Sequence, residues 1–141
     1  MCPNDFLSQS KELLGMYDTN GCKEVDLRSA ISRAYYSLFH NALRYLESNF
    51  KAEFDSQYRI YAKGPKTSDS EKGAFIHRVI PNTLNTINIK NSRVLGVKFK
   101  SYRDLRNKAD YKLDMEFIRG DVEQEINSME NLMSQIKALN D

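Results

Sequence analysis

The sequence predicts an all-α protein, a compact up-and-down bundle of four to five helices, and three observations lead there. Apolar residues recur at intervals of three and four through five stretches of chain, the spacing of a helix with one buried face. Alternation of period two, the mark of a half-buried strand, is absent over any useful length. The 141 residues, 40% hydrophobic and 28% charged, suffice for one domain with a real core and are few for two. A single domain over 1–141 without internal repeats is therefore expected.

The first helix is expected over Asp5 to Tyr17, where Phe6, Leu7, Leu13, Leu14 and Tyr17 form a loose stripe, and Asn20-Gly21 ends it in turn chemistry. The second opens near Val25 or Asp26, with Asp26 as its cap. Its apolar face runs without a break through Leu27, Ala30, Ile31, Ala34, Tyr35, Leu38, Phe39, Ala42, Leu43 and Leu46. That is enough width to touch more than one neighbour, so it is expected at the centre of the bundle.

Phe50, Phe54, Tyr58 and Tyr61 keep a spacing near four, so the helix continues or restarts there. Lys63 to Ser70 is polar and carries Gly64-Pro65, the clearest loop signal in the chain. Phe75, Ile76, Val79 and Ile80 resume a helical pattern, and Pro81 then implies a kink or a new helix start. Leu95, Phe99, Tyr102, Leu105 and Ala109 line a further helix over Val94 to Tyr111. The last helix follows Asp121 as cap, with Gln124 in the box position and a stripe from Val122 to Leu139.

Composition narrows the function classes. A formal charge of +2 neither demands a nucleic-acid partner nor argues against one, since clustering matters more than the total. Cys2 and Cys22 are too few for a disulfide framework, and with two histidines a Cys/His zinc site is poorly supported. Neither a metal nor a cofactor is expected. Met1 to Ser10 holds no apolar run of a signal peptide, and no stretch approaches a membrane span, so the expected address is cytoplasmic. Phosphate-loop, zinc-protease, nucleophile-elbow and dinucleotide fingerprints are all missing.

Two polar clusters remain. On the central helix Arg33, Tyr36 and His40 share a face that adjoins the one carrying Tyr35, Leu38 and Ala42. Near the end of the later helix, Arg103, Arg106 and Asp110 follow the same spacing, with Asn107 and Tyr111 on an adjoining face. Guanidinium groups give bidentate contacts to phosphate oxygens, and an imidazole can donate, accept or carry a proton near neutrality. The stretch from Arg93 to Lys112 is also locally basic, with tyrosines between the charges. Two readings stay open: a cationic, aromatic-lined furrow for a phosphate backbone, or a buried polar clamp in which Tyr35 and Asp110 hold Arg106 and fix helix register. His77 reads as a surface or loop-closing histidine, and Met129 and Met133 are spaced as core.

The run Arg33-Ala34-Tyr35-Tyr36-Ser37-Leu38-Phe39-His40-Asn41-Ala42 and the later Arg106-Asn107-Lys108-Ala109-Asp110-Tyr111 together resemble the HEPN superfamily, in particular its short stand-alone prokaryotic members. Those read approximately R-A-Y-Y-x-x-F-H-x-A and then R-x-x-A-D-Y. The segment from Lys72 to Ile80 looks like the family's third helix. The resemblance implies a helical bundle that dimerises, and an RNA- or nucleotide-interacting role in prokaryotic antiviral defence or toxin–antitoxin systems. It also implies metal-independent endoribonuclease activity in many members, or a non-catalytic structural or adaptor role. A nucleotidyltransferase-type protein is an implied partner.

Ribonuclease members carry an arginine, four to six variable residues and then a histidine; here Tyr111 stands in that place. A phenol is a poor base at neutral pH, so catalysis here would need His40 brought to Arg106. Arg33, Tyr36, Arg103, Asn107 and Tyr111 would then contact RNA or phosphate.

Overall fold

The apolar spacing is realised as six helices among residues 2–62 and 75–139, the parts of the chain that the structure, a computed structural model, describes. They are α1 (Pro3–Thr19), α2 (Glu24–Asn49), α3 (Lys51–Ala62), α4 (Ile76–Thr86), α5 (Ser92–Tyr111) and α6 (Arg119–Lys137). The expected count of four to five is thus exceeded, because α2 stops at Phe50 and α3 restarts at Lys51. The polar loop expected at 63–70 lies outside the described residues, as does the first part of the segment likened to the family's third helix.

Helix α2 lies at the centre and packs against each of the other five. Its expected apolar positions Leu27, Ala30, Ile31, Ala34, Tyr35, Leu38, Phe39, Ala42 and Leu46 are all buried. Helix α1 runs antiparallel to it: Ser10 donates to the Ala30 carbonyl at 2.6 Å, and Asn41 donates to Asn4 at 3.3 Å. Helix α6 runs parallel to α2, with Met133 beside Ser37 and Tyr45 donating to the Leu139 carbonyl. Helices α4 and α5 form an antiparallel pair that closes the opposite side. Gly96 permits their approach, since a Cβ there would sit 3.0 Å from the Pro81 carbonyl oxygen.

Pro81 falls inside α4 rather than starting a new helix. Two expected caps are corrected. Lys23 stands at the N-cap of α2, and Asp26 lies in the first turn, where its charge still favours the helix N-terminus. Helix α6 begins at Arg119 with Ile118 at the cap, so Asp121 does not form the expected box with Gln124. The earlier start follows from tethers upstream: Arg119 donates to Asp18 at 2.9 Å and the Phe117 amide to Glu24 at 3.3 Å.

Arg28 secures the end of α5. Its guanidinium donates to the carbonyls of Ala109 at 3.0 Å and Lys112 at 2.9 Å, and also to that of Met115. Glu24 holds the same group at 3.2 Å, and the Phe117 ring stacks 4.8 Å beneath it. Carbonyls left without partners at a helix C-terminus are thereby satisfied from a second helix. We expect Arg28→Ala to lower unfolding free energy by about 2 kcal/mol, with Arg28→Lys recovering less than half, because an ammonium cannot span the same carbonyls. Urea denaturation of the three proteins checks this, and a loss under about 0.5 kcal/mol contradicts it.

Candidate functional site

Two stretches predicted to converge do meet, and Tyr35 is the joint. It has no exposed surface, and its ring lies 5.7 Å from that of Phe99 on α5. Because α5 runs antiparallel to α2, Arg106 arrives two turns after Phe99 on the same face. Its guanidinium carbon sits 5.2 Å from the Tyr35 ring centre and 5.7 Å from that of Tyr36. Both contacts lie within cation–π range, worth about 1–2 kcal/mol where water is excluded. Asp110, one turn on, is 3.5 Å from the same guanidinium. Arg106 is only 12% exposed along its side chain, and its Nε is buried without a hydrogen-bond partner among the described residues.

The third member comes from α4. The Tyr35 phenol lies 2.6 Å from His77 Nδ1, and the imidazole stacks on Phe39 with ring centres 4.2 Å apart. His77 is therefore half-buried within the aromatic cluster, which corrects the expectation of a surface or loop-closing residue. Burial, then the charges of Arg106 and Arg103, bring its pKa down to about 4. Burial pushes the Tyr35 phenol well above its ordinary range, opposed in part by the same two arginines. The phenol stays protonated and the imidazole stays neutral.

The remaining predicted residues spread around this core. His40 stacks on Phe6 of α1 at 5.6 Å and meets Phe39 edge-on at 4.9 Å. Burial and the Arg44 charge lower its pKa, whereas the field of Arg106 falls on His77. Tyr36 is half-buried between Phe6 and Arg106. Arg33 is exposed on the α1 side, lining a shallow pocket with Glu12 and Met16. Asn107 is half-buried, and Tyr111 projects with 73% of its surface exposed.

Arg103 leads to a feature that neither cluster named. Between α4 and α5 lies an open pocket of about 530 Å³, lined among others by Arg78, Asn82 and Asn85 on one helix and by Lys100, Arg103 and Asp104 on the other. Its floor is Pro81 and Gly96, and Tyr61 of α3 closes one end, accepting a hydrogen bond from Asn82 at 2.6 Å. Three cations, Arg78 from one helix and Lys100 and Arg103 from the other, thus line a space the size of a small ligand together with one carboxylate. The signal was present in the spacing, since 78, 82, 85 and 96, 100, 103 each step by four and three residues. It was obscured because only folding sets the two stripes face to face.

Among the described residues, no group of three or more His, Cys, Asp or Glu is arranged to hold a metal ion. None of their helices is long and apolar enough to cross a membrane. No family model, curated protein or solved structure matches the chain.

The imidazoles give the fold a pH dependence of definite sign. In the unfolded chain His77 titrates near 6.5, and in the fold near 4, so between those values the unfolded state binds more protons. Stability is therefore full above pH 6.5 and falls as pH is lowered through that window, by about 3 kcal/mol at most from His77. His40, lowered in the same direction, adds to the slope. Urea denaturation at intervals from pH 7 to pH 4.5 should show this decline, and His77→Gln should flatten it; equal slopes for the two proteins would refute the assignment.

Proposed function

We propose that the chain is an RNA- or nucleotide-interacting module of HEPN type that engages phosphate at the α4–α5 pocket. The observation that carries this reading is the convergence of Arg78, Lys100 and Arg103 on one open space beside the amides of Asn82 and Asn85. Guanidinium and ammonium groups there can neutralise phosphate oxygens, and the amides offer donors and acceptors to a base or ribose. The exposed residues Arg93, Lys98 and Lys108 extend positive charge along α5. The prokaryotic defence or toxin–antitoxin setting, and endoribonuclease activity involving His40 and Arg106, rest on the two HEPN-like motifs alone.

Binding to a labelled single-stranded RNA in EDTA, at 50 to 200 mM salt, tests the proposal. Affinity should fall about 10-fold across that range, and Lys100→Ala and Arg103→Ala should each weaken binding several-fold and reduce the salt slope by about 1. Neither change should move stability by more than about 0.5 kcal/mol, since both side chains face the pocket. Cleavage lost in His40→Ala would support the endoribonuclease form; wild-type affinity in Lys100→Ala and Arg103→Ala would remove the pocket from the account.

A second reading, a non-catalytic structural or adaptor protein, is favoured by a different observation. Tyr111, Leu113 and Ile118 are 73%, 82% and 62% exposed around the α5–α6 connection that Arg28 holds in place. A firmly held apolar surface suits a second copy or a nucleotidyltransferase-type protein. If that reading is right, wild-type protein sediments as a dimer or binds such a partner, Leu113→Glu abolishes the association, and RNA is not bound.

A further inference from the structure

We infer that the α4–α5 pocket holds a nucleoside phosphomonoester, its phosphate between Arg78 and Arg103 and its base towards Asn85 and Val97. The ligand is a free mononucleotide or the phosphorylated end of an RNA strand, which carry the same chemical group. This rests on the phosphate-binding reading above and deepens it by naming the form of the phosphate. Three cations, Arg78, Lys100 and Arg103, and one carboxylate, Asp104, give the pocket a formal charge of +2. Among the described residues none of those cations forms an ion pair, whereas Lys11, Arg106 and Arg119 each do. A terminal phosphate carries about −2 near neutrality and an internal phosphodiester about −1, so the monoester is the better match.

The pocket is also polarised along its length. Gly96 lies against the Pro81 carbonyl, Leu84 and Asn85, so in the antiparallel pair Arg103 falls back beside the turn that carries Arg78. Arg78 and Asn85 are seven residues apart on α4, as are Gly96 and Arg103 on α5, and a rise of about 1.5 Å per residue sets the two ends roughly 10 Å apart. That is the reach of one nucleotide from its phosphate to its base. At the end away from the arginines, the exposed Asn85 amide can both donate and accept, and Val97, 67% exposed, offers apolar area to a base face. Asn82 meanwhile donates to Tyr61 at 2.6 Å, and the Tyr61 ring lies within 11° of parallel to that of Phe75. This wall is set in place without a ligand, which lowers the ordering cost of binding.

Calorimetric titration of the full chain at pH 7.5 with AMP, adenosine and inorganic phosphate tests this, alongside decaadenylates with hydroxyl or phosphorylated ends. AMP should bind about 10-fold or more tightly than either adenosine or inorganic phosphate, because each of those fills one end only. Arg78→Ala and Arg103→Ala should each weaken AMP about 10-fold, while Asn85→Leu should weaken AMP and leave inorganic phosphate as in the wild type. A terminal phosphate that raises strand affinity, with AMP displacing that strand, makes the strand end the source; AMP binding with no effect of terminal phosphates makes it the free mononucleotide. AMP that binds no better than adenosine or inorganic phosphate overturns the inference. If the hydroxyl-ended strand still binds in that case, with Lys100→Ala and Arg103→Ala weakening it, phosphate binding by the backbone stands and the monoester is excluded. Absence of binding by every strand and by inorganic phosphate removes the phosphate-binding reading itself and this inference with it.

Discussion

The buried phenol of Tyr35 is the constraint on which this bundle is organised. One side chain on α2 accounts for the docking of two other helices, through the hydrogen bond to His77 on α4 and through the ring faces offered to Phe99 and Arg106 on α5. A tyrosine can do this because its ring contributes apolar area to the core while its hydroxyl demands a partner with direction. An isosteric Phe would fill the same volume without specifying where α4 must stand. Burial supplies the driving force, and the hydroxyl supplies the register.

Arg106 follows from that arrangement. Burying a guanidinium without compensation costs several kcal/mol, and a single carboxylate 3.5 Å away does not offset it in full. The two tyrosine faces add attraction that needs no further ion, which is why a largely buried arginine is tolerated with its Nε unpaired among the described residues. The price falls on the nearby imidazole, since the same positive charge helps keep His77 neutral. Clamp and charge are one device.

How much of this was legible in the sequence depends on the range of the interaction. The buried faces of helix α2 and helix α6 were readable, because apolar periodicity is a local record of a single buried face. Caps were not: Asp26 and Asp121 look like N-caps in isolation, but the tethers of Arg119 to Asp18 and of Phe117 to Glu24 draw the α6 start upstream. The meeting of Arg106 with Tyr35 and Tyr36 could be anticipated from paired motifs, yet His77 could not. It stands alone in sequence, 42 residues from Tyr35, and only the packing of α4 reveals its partner. Arg28 was hidden for another reason, since its partners on the α5–α6 connection are mainly carbonyl oxygens, which leave no residue-type signature.

The geometry also separates two roles that the sequence left entangled. Arg103 and Arg106 are one turn apart and chemically identical, but helical spacing turns them towards different surroundings. Arg106 is directed into the aromatic rings, where a ligand would have to displace Tyr36 or Asp110 to reach it. Arg103 instead opens on the α4–α5 pocket beside Lys100 and Arg78. A furrow for phosphate and a buried clamp are therefore not competing descriptions of one surface. They are neighbouring faces of α5, joined by the field of both arginines on His77.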